Sequence, residues 1–119
     1  MMQKFRVWDT VKKAMSDVQA VVYTEERVYP IYSKAIRRYI PFSEAVLMQS
    51  AGLFDKNGKE IFEGDVVNIF DEKLSKIYYS EGAFCVEVLN GGTPLHVYLS
   101  EHLELIGNIY ENPELVEVE

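Results

Sequence analysis

Residues 47–70, LMQSAGLFDKNGKEIFEGDVVNIF, constrain this chain more than any other stretch. Their centre, Asp55-Lys56-Asn57-Gly58, is a reverse-turn signal, because Asn and Gly both tolerate the positive φ that tight reversals demand. Apolar residues end at Leu53-Phe54 and resume at Ile61-Phe62, so the chain folds back on itself as a hairpin, with Gly58 at a positive φ. Glu63-Gly64-Asp65 punctuates again, and Val66, Val67, Ile69 and Phe70 then open a strand-like run. The predicted consequence is a β architecture organised on this reversal.

Upstream, Lys4 to Trp8 alternates polar and apolar residues and reads as a strand. Asp9 to Lys13 is a turn, and Ala14 to Tyr23 supplies a second strand. The expectation is an N-terminal hairpin with Trp8 partly buried. A core position is usual for a lone Trp; a ligand-stacking platform is the alternative.

Ile31 to Ile40 lies between Pro30 and Pro41, both natural helix punctuation. A short helix is predicted here, with Ser33 as a late N-cap and Ile36, Tyr39 and Ile40 on its apolar face. Lys34, Arg37 and Arg38 then share the other face at i, i+3 and i+4. They form the one basic cluster with aromatic neighbours, Tyr32 and Tyr39, and are the candidate contact for an anion or nucleic acid. The plainer reading is a solvated face, or one paired with acidic residues of the second half.

Ala45 to Met48 leads as a strand into the central stretch. Five short apolar runs follow it: Asp65–Phe70, Lys76–Ser80, Ala83–Leu89, Leu95–Leu99 and Leu105–Tyr110. They are joined by DEKLS, the two-residue turn Glu81-Gly82, Asn90 to Pro94, and Ser100 to Glu104, where one 3₁₀ turn fits. That spacing predicts a mainly β chain with an SH3-like small barrel in its second half, an N-terminal β-hairpin and one short helix. Val66, Ile69, Phe84, Val86, Val88, Val97, Leu99, Leu105 and Ile109 are its expected core. In the tail, Asn112-Pro113-Glu114-Leu115 has a cap, a first-turn proline and an acidic first turn, so one helical turn should dock Leu115 or Val116. The layout is one domain: residues 1–46 carry the hairpin and helical segment, 47–112 the barrel, and 113–119 the tail.

A chain of 119 residues is large enough for a core without disulfides, and its single Cys85 excludes an internal one. Cys85 sits in the apolar run AFCV, where a packed, inert thiol is expected in a reducing setting. No apolar run approaches the roughly 20 residues that span a bilayer, and the N-terminus lacks a signal-peptide core. The expectation is a soluble protein of the cytoplasm. Charge is uneven: residues 1–46 carry eight Lys/Arg against five Asp/Glu, residues 47–119 four against fourteen, giving +3 and −10 within the overall −7. Only the first half could meet a phosphate backbone without repulsion, and the second could mimic nucleic acid.

No motif selects a chemistry. With Gly58 at the invariant glycine of a calcium loop, the first and last ligand positions fall on Leu53 and Gly64, which cannot coordinate. His96, His102 and Cys85 fall short of a zinc set. No Gly-rich loop precedes a helix, no spacing selects a triad, and Glu60, Glu63 and Asp65 cluster around turns as solvated carboxylates. The expectation is a non-enzymatic protein without catalytic residues, cofactor or metal.

Three blocks, KFRVWD near the N-terminus, MQSAGLFDKNGKEIFEGDVV in the centre and IGNIYENPEL near the C-terminus, resemble the signatures of the YopX family of small phage and prophage proteins. They occur in family order and frame nearly the whole chain, leaving residues 20–44 unmatched. The resemblance implies an SH3-type barrel in the second half and a phage or prophage origin in a bacterial host. It supplies no activity, and no site residue carries over, because the shared motifs read as turn and core positions. The favoured function is a small binding or assembly module acting on a host or phage protein. The alternative is a nucleic-acid-associated accessory protein using Lys34, Arg37 and Arg38. Val28, Tyr29, Ile31, Tyr32, Ile36, Tyr39 and Phe42 exceed what a small barrel needs to cover, so a homo-oligomer with contacts from residues 20–44 is also expected. No membrane partner is expected.

Overall fold

A computed structural model of the chain describes residues 4–31, 37–71, 73–88, 91–95 and 100–115, without the side chains of 87, 88, 91 and 92. The chain divides into two compact units, Met1–Gln49 and Ser50–Glu119. It is mainly β, its strands paired antiparallel throughout.

The first unit is built on the expected hairpin, β1 (Phe5–Asp9) and β2 (Ala14–Val22), with Trp8 opposite Met15. The reversal is held by Asp9, whose Oδ1 accepts the N–H groups of Val11 and Lys12, both at 3.0 Å. Trp8 is buried rather than half-buried. Two further strands were not legible in the sequence: β3 (Arg27–Pro30), paired with β2, and β4 (Ile40–Pro41), paired with β3. The first half of β5 (Ala45–Phe54) pairs with the other side of β1, so the order is β4-β3-β2-β1-β5. Val7, Val28 and Ile40 form the buried centre, with Val18, Phe42, Ala45 and Leu47 against it.

The predicted helix over 31–40 is corrected in part. Ile40 is a strand residue, and Arg37 to Tyr39 run as irregular chain; 32–36, with Ser33 and Lys34, lie outside the described residues. The periodic apolar spacing reflects separate burial needs: Ile40 enters the core opposite Val28, while Tyr39 lies under the Arg27 guanidinium, 3.9 Å from its ring centre.

In the second unit β5 continues and pairs with β6 (Glu60–Phe62) across the 55–58 reversal. Gly58 has φ +79° and its N–H donates to the Asp55 carbonyl at 3.0 Å, as the turn requires. A five-stranded sheet follows: β7 (Asp65–Ile69), β8 (Lys73–Ser80), β9 (Ala83–Val88), β10 (Gly91–Pro94) and β11 (Leu103–Asn108). Its order is β10-β9-β8-β7-β11, a four-strand meander whose first strand also receives the last. A 3₁₀ turn at Ser100–His102 delivers the chain into β11, as expected. Among the described residues the sheet has two ends, β10 and β11, so the barrel is not closed.

Several limits move. β8 begins at Lys73, inside the expected DEKLS connection, because its polarity is inverted there: Ser75 faces in at 3% exposure and Leu74 faces out at 42%. Gly91 to Pro94 is a strand, not a loop; an end strand accommodates the glycines and the proline that an inner one would not. Of the strand expected over Leu95–Leu99, only Leu95 is described, and it is buried. The Glu81-Gly82 turn has positive φ at both positions, 50° and 83°, the geometry of a two-residue hairpin.

The core of this unit is Ile61, Val67, Ile69, Ile77, Val86, Leu95 and Leu103, with Phe84 and Leu105 packed against it. Of the expected set, Val66, Ile69 and Val86 are buried, while Phe84, Leu105 and Ile109 are half-buried. The side chains of Val88, Val97 and Leu99 are outside the described residues. The tail forms a 3₁₀ turn at Pro113–Leu115, and Leu115 lies over Gly107; Val116 is not described.

Candidate functional site

Within the three sequence blocks, the side chains of Asp9, Asp55, Asp65 and Asn108 are turned onto the protein's own backbone. Asp55 is 3% exposed; its Oδ1 accepts Asn57 N–H at 2.9 Å and Lys59 N–H at 2.8 Å, and its Oδ2 accepts Leu105 N–H at 2.8 Å. Burial pushes this carboxyl up, but the three amide bonds outweigh burial and hold it below the ordinary value of 3.8. Asp65, buried in the second punctuation, accepts Phe62 N–H at 2.7 Å. Asn108 accepts the N–H groups of Tyr110 and Glu111, at 3.0 and 2.8 Å, and so shapes the turn after β11.

Arg37, one of the residues expected to meet an anion, is held by two carboxylates of its own unit. Its Nε and Nη2 donate to Asp9 at 2.9 and 2.7 Å, a bidentate fork, and Nη1 donates to Glu44 at 2.6 Å. Burial raises the Asp9 carboxyl, while Arg37 and the amides of Lys12 and Val11 bring it below its ordinary value. Arg38 is exposed, and Lys34 lies outside the described residues. Of the apolar residues expected at an interface, Val28 is buried, Tyr29, Tyr39 and Phe42 are half-buried, and Ile31 is exposed.

The second unit has an open cleft of about 170 Å³ lined by Lys56, Asn68, Phe70, Asp71, Glu101, His102, Leu103 and Glu104. Main-chain bonds fix its walls. Lys56 N–H donates to the Leu103 carbonyl and Phe70 N–H to the His102 carbonyl, both at 2.9 Å, while Asn68 faces Glu104 across β7 and β11. The Phe70 and His102 rings stack at 4.4 Å between centroids with planes 35° apart, and Phe70 is 49% exposed. Phe70 and Asp71 both sit in the left-handed region, at φ 55° and 59°. That conformation is uncommon for a bulky side chain, and it turns the ring outward beside the carboxylates. The Lys56 ammonium lies 3.7 Å from Glu104 and 3.9 Å from Asp71, and His102 Nε2 is 3.9 Å from Glu101.

Sequence reasoning missed this cleft. In the sequence His102 reads only as one member of an incomplete zinc set and Phe70 as a strand end; an exposed ring on a left-handed Phe has no local signature. Among the described residues no group of three His, Cys, Asp or Glu is placed to hold a metal ion, and no helix is long and apolar enough to cross a membrane.

A half-exposed aromatic pair with carboxylates beside it thus lies on a fixed β framework in the second unit of a small, mainly β protein. The family model described as YopX protein matches residues 4–117, and the chain belongs to that family. Among solved structures it is similar to protein EF1440 from Enterococcus faecalis, at 32% identity over 98% of this chain and 99% of that one, with a TM-score of 0.75. The protein yopX from Bacillus subtilis shares the fold, at 23% identity over 96% and 98% of the two chains, with a TM-score of 0.64. No curated protein matches the chain.

Proposed function

We propose that the chain works by binding rather than catalysis, as an accessory module of a phage or prophage that acts in the bacterial cytoplasm on a host or phage protein. The observation that carries this reading is the cleft. Phe70 and His102 present a stacked, half-exposed surface whose walls are held by main-chain hydrogen bonds. Rigid scaffolds that expose an aromatic anchor beside charged groups suit partner recognition. The buried carboxylates Asp9, Asp55 and Asp65 and the amide of Asn108 are engaged with the chain's own backbone. The meander order of the second sheet, with the last strand returning to β7 through a 3₁₀ turn, supports an SH3-like barrel as its architecture. Tyr23, 76% exposed, and Ile31 offer apolar contact area for a homo-oligomer formed through the first unit.

The test is capture from host lysate with the full chain and with Phe70→Ser, beside a mobility-shift titration with DNA and RNA. A protein retained by the wild type and released by Phe70→Ser supports the module. Steeply salt-dependent retention of nucleic acid, lost on Arg38→Ala, would replace it with the nucleic-acid reading.

A further inference from the structure

The cleft lining is built to accept hydrogen bonds. Besides Lys56 its charged members are Asp71, Glu101 and Glu104, three carboxylates against one ammonium. The Asn68 carboxamide lines it too, and its Oδ1 is buried without a hydrogen-bond partner. One ammonium, that of Lys56, is already drawn to two of these carboxylates, yet neither contact is closer than 3.7 Å. Contacts that long leave the carboxylate lone pairs free for a closer donor. Beside them stands the exposed face of Phe70, stacked on His102.

We propose that this cleft takes the guanidinium of an arginine side chain presented by a basic segment of a partner protein, an assignment that rests on the binding-module reading. A guanidinium is planar, stacks on an aromatic face and forks two donors onto carboxylates, and a lone ammonium does only part of this. Size agrees. About 170 Å³ holds one long side chain, whereas cofactor and drug-sized sites occupy about 300–1,000 Å³. Lys56 is then a resident competitor, its ammonium moving out to solvent when the guanidinium enters.

The experiment is an NMR titration of the full-length isotope-labelled protein with N-acetyl-arginine methylamide, and separately with its citrulline analogue, which has the same shape without the charge. Saturable amide shifts are expected at Phe70, Asp71, His102 and Glu104 with the arginine probe and not with citrulline. Glu104→Gln should weaken binding about threefold, and Lys56→Gln should tighten it about threefold, the scale of one exposed ion pair. Equal binding of citrulline, shifts spread without saturation over Glu25, Glu26 and Glu114, or weaker binding by Lys56→Gln would each overturn the assignment. If the probe fails while Phe70→Ser still releases a captured protein, the module stands and the arginine assignment falls.

Discussion

The Asp55 carboxylate accepts the backbone N–H of Leu105 through Oδ2 at 2.8 Å, joining residues fifty apart in sequence. Its other oxygen closes the 55–58 reversal, so one side chain ties the hairpin of β5 and β6 to the outer edge of β11. Lys56 N–H adds a bond to the Leu103 carbonyl on the same edge. An end strand with unpaired amides is a template for unwanted pairing, and this clasp covers part of it. It also sets Lys56 over Glu104, and so shapes the cleft.

Asp55→Asn should therefore destabilise the protein by about 2–3 kcal/mol. An amide has a single acceptor oxygen, so an NH₂ group must face either the reversal or Leu105 N–H, where a charge-assisted bond stood. Urea unfolding of the two proteins measures the difference, and a gap below about 0.5 kcal/mol would contradict the clasp.

Acid should act through the same carboxylates. Asp55 and Asp9 both lie below their ordinary value in the folded protein, so each binds a proton less readily folded than unfolded. Their stabilisation is fully present above the unfolded pKa of about 3.9 and is lost as pH falls through the lower folded value. The gap between wild type and Asp55→Asn should stay constant from about pH 5 to 8 and close below about pH 4. Unfolding midpoints measured across that range check the sign.

The sequence announced this region as a turn but not as a long-range link. Asn57-Gly58 marks a reversal because the preference is local, whereas the Asp55 to Leu105 bond depends on which strand returns to β7. The N-terminal hairpin, the Glu81-Gly82 turn and the 3₁₀ turn at Ser100–His102 were legible for the same local reason. β3 and β4 were hidden because Pro30 and Pro41 read as helix limits, although both stand in strands, and Pro41 lies in the end strand β4. The basic cluster was legible as charge. That Arg37 is taken by Asp9 and Glu44 was not, since both partners lie outside its own segment.

A side chain at Gly107 should force Asn112 to shift. A Cβ there would meet Asn112 Oδ1 at a distance no real contact shows, with Leu115 Cδ1 at 3.1 Å. Gly107→Ala should cost about 1–3 kcal/mol through overpacking, and combining it with Asn112→Ala should recover part of that loss. Thermal unfolding of the double-mutant cycle reads the coupling; strict additivity would contradict the packing.

Arg37→Met, which keeps the stem and removes the fork, should cost about 1–3 kcal/mol. It leaves Asp9, 4% exposed, without its charge-assisted donors. Loss of nucleic-acid affinity without any loss of stability in this variant would contradict the structural role assigned to Arg37.

The most direct test of the clasp is amide hydrogen exchange at Leu105. The account predicts slow exchange at Leu105 and Lys59 in the wild type, and selective loss of that protection in Asp55→Asn while Ile77 and Val86 in the core stay protected. A Leu105 amide that exchanges as fast as an open loop in the wild type would contradict it.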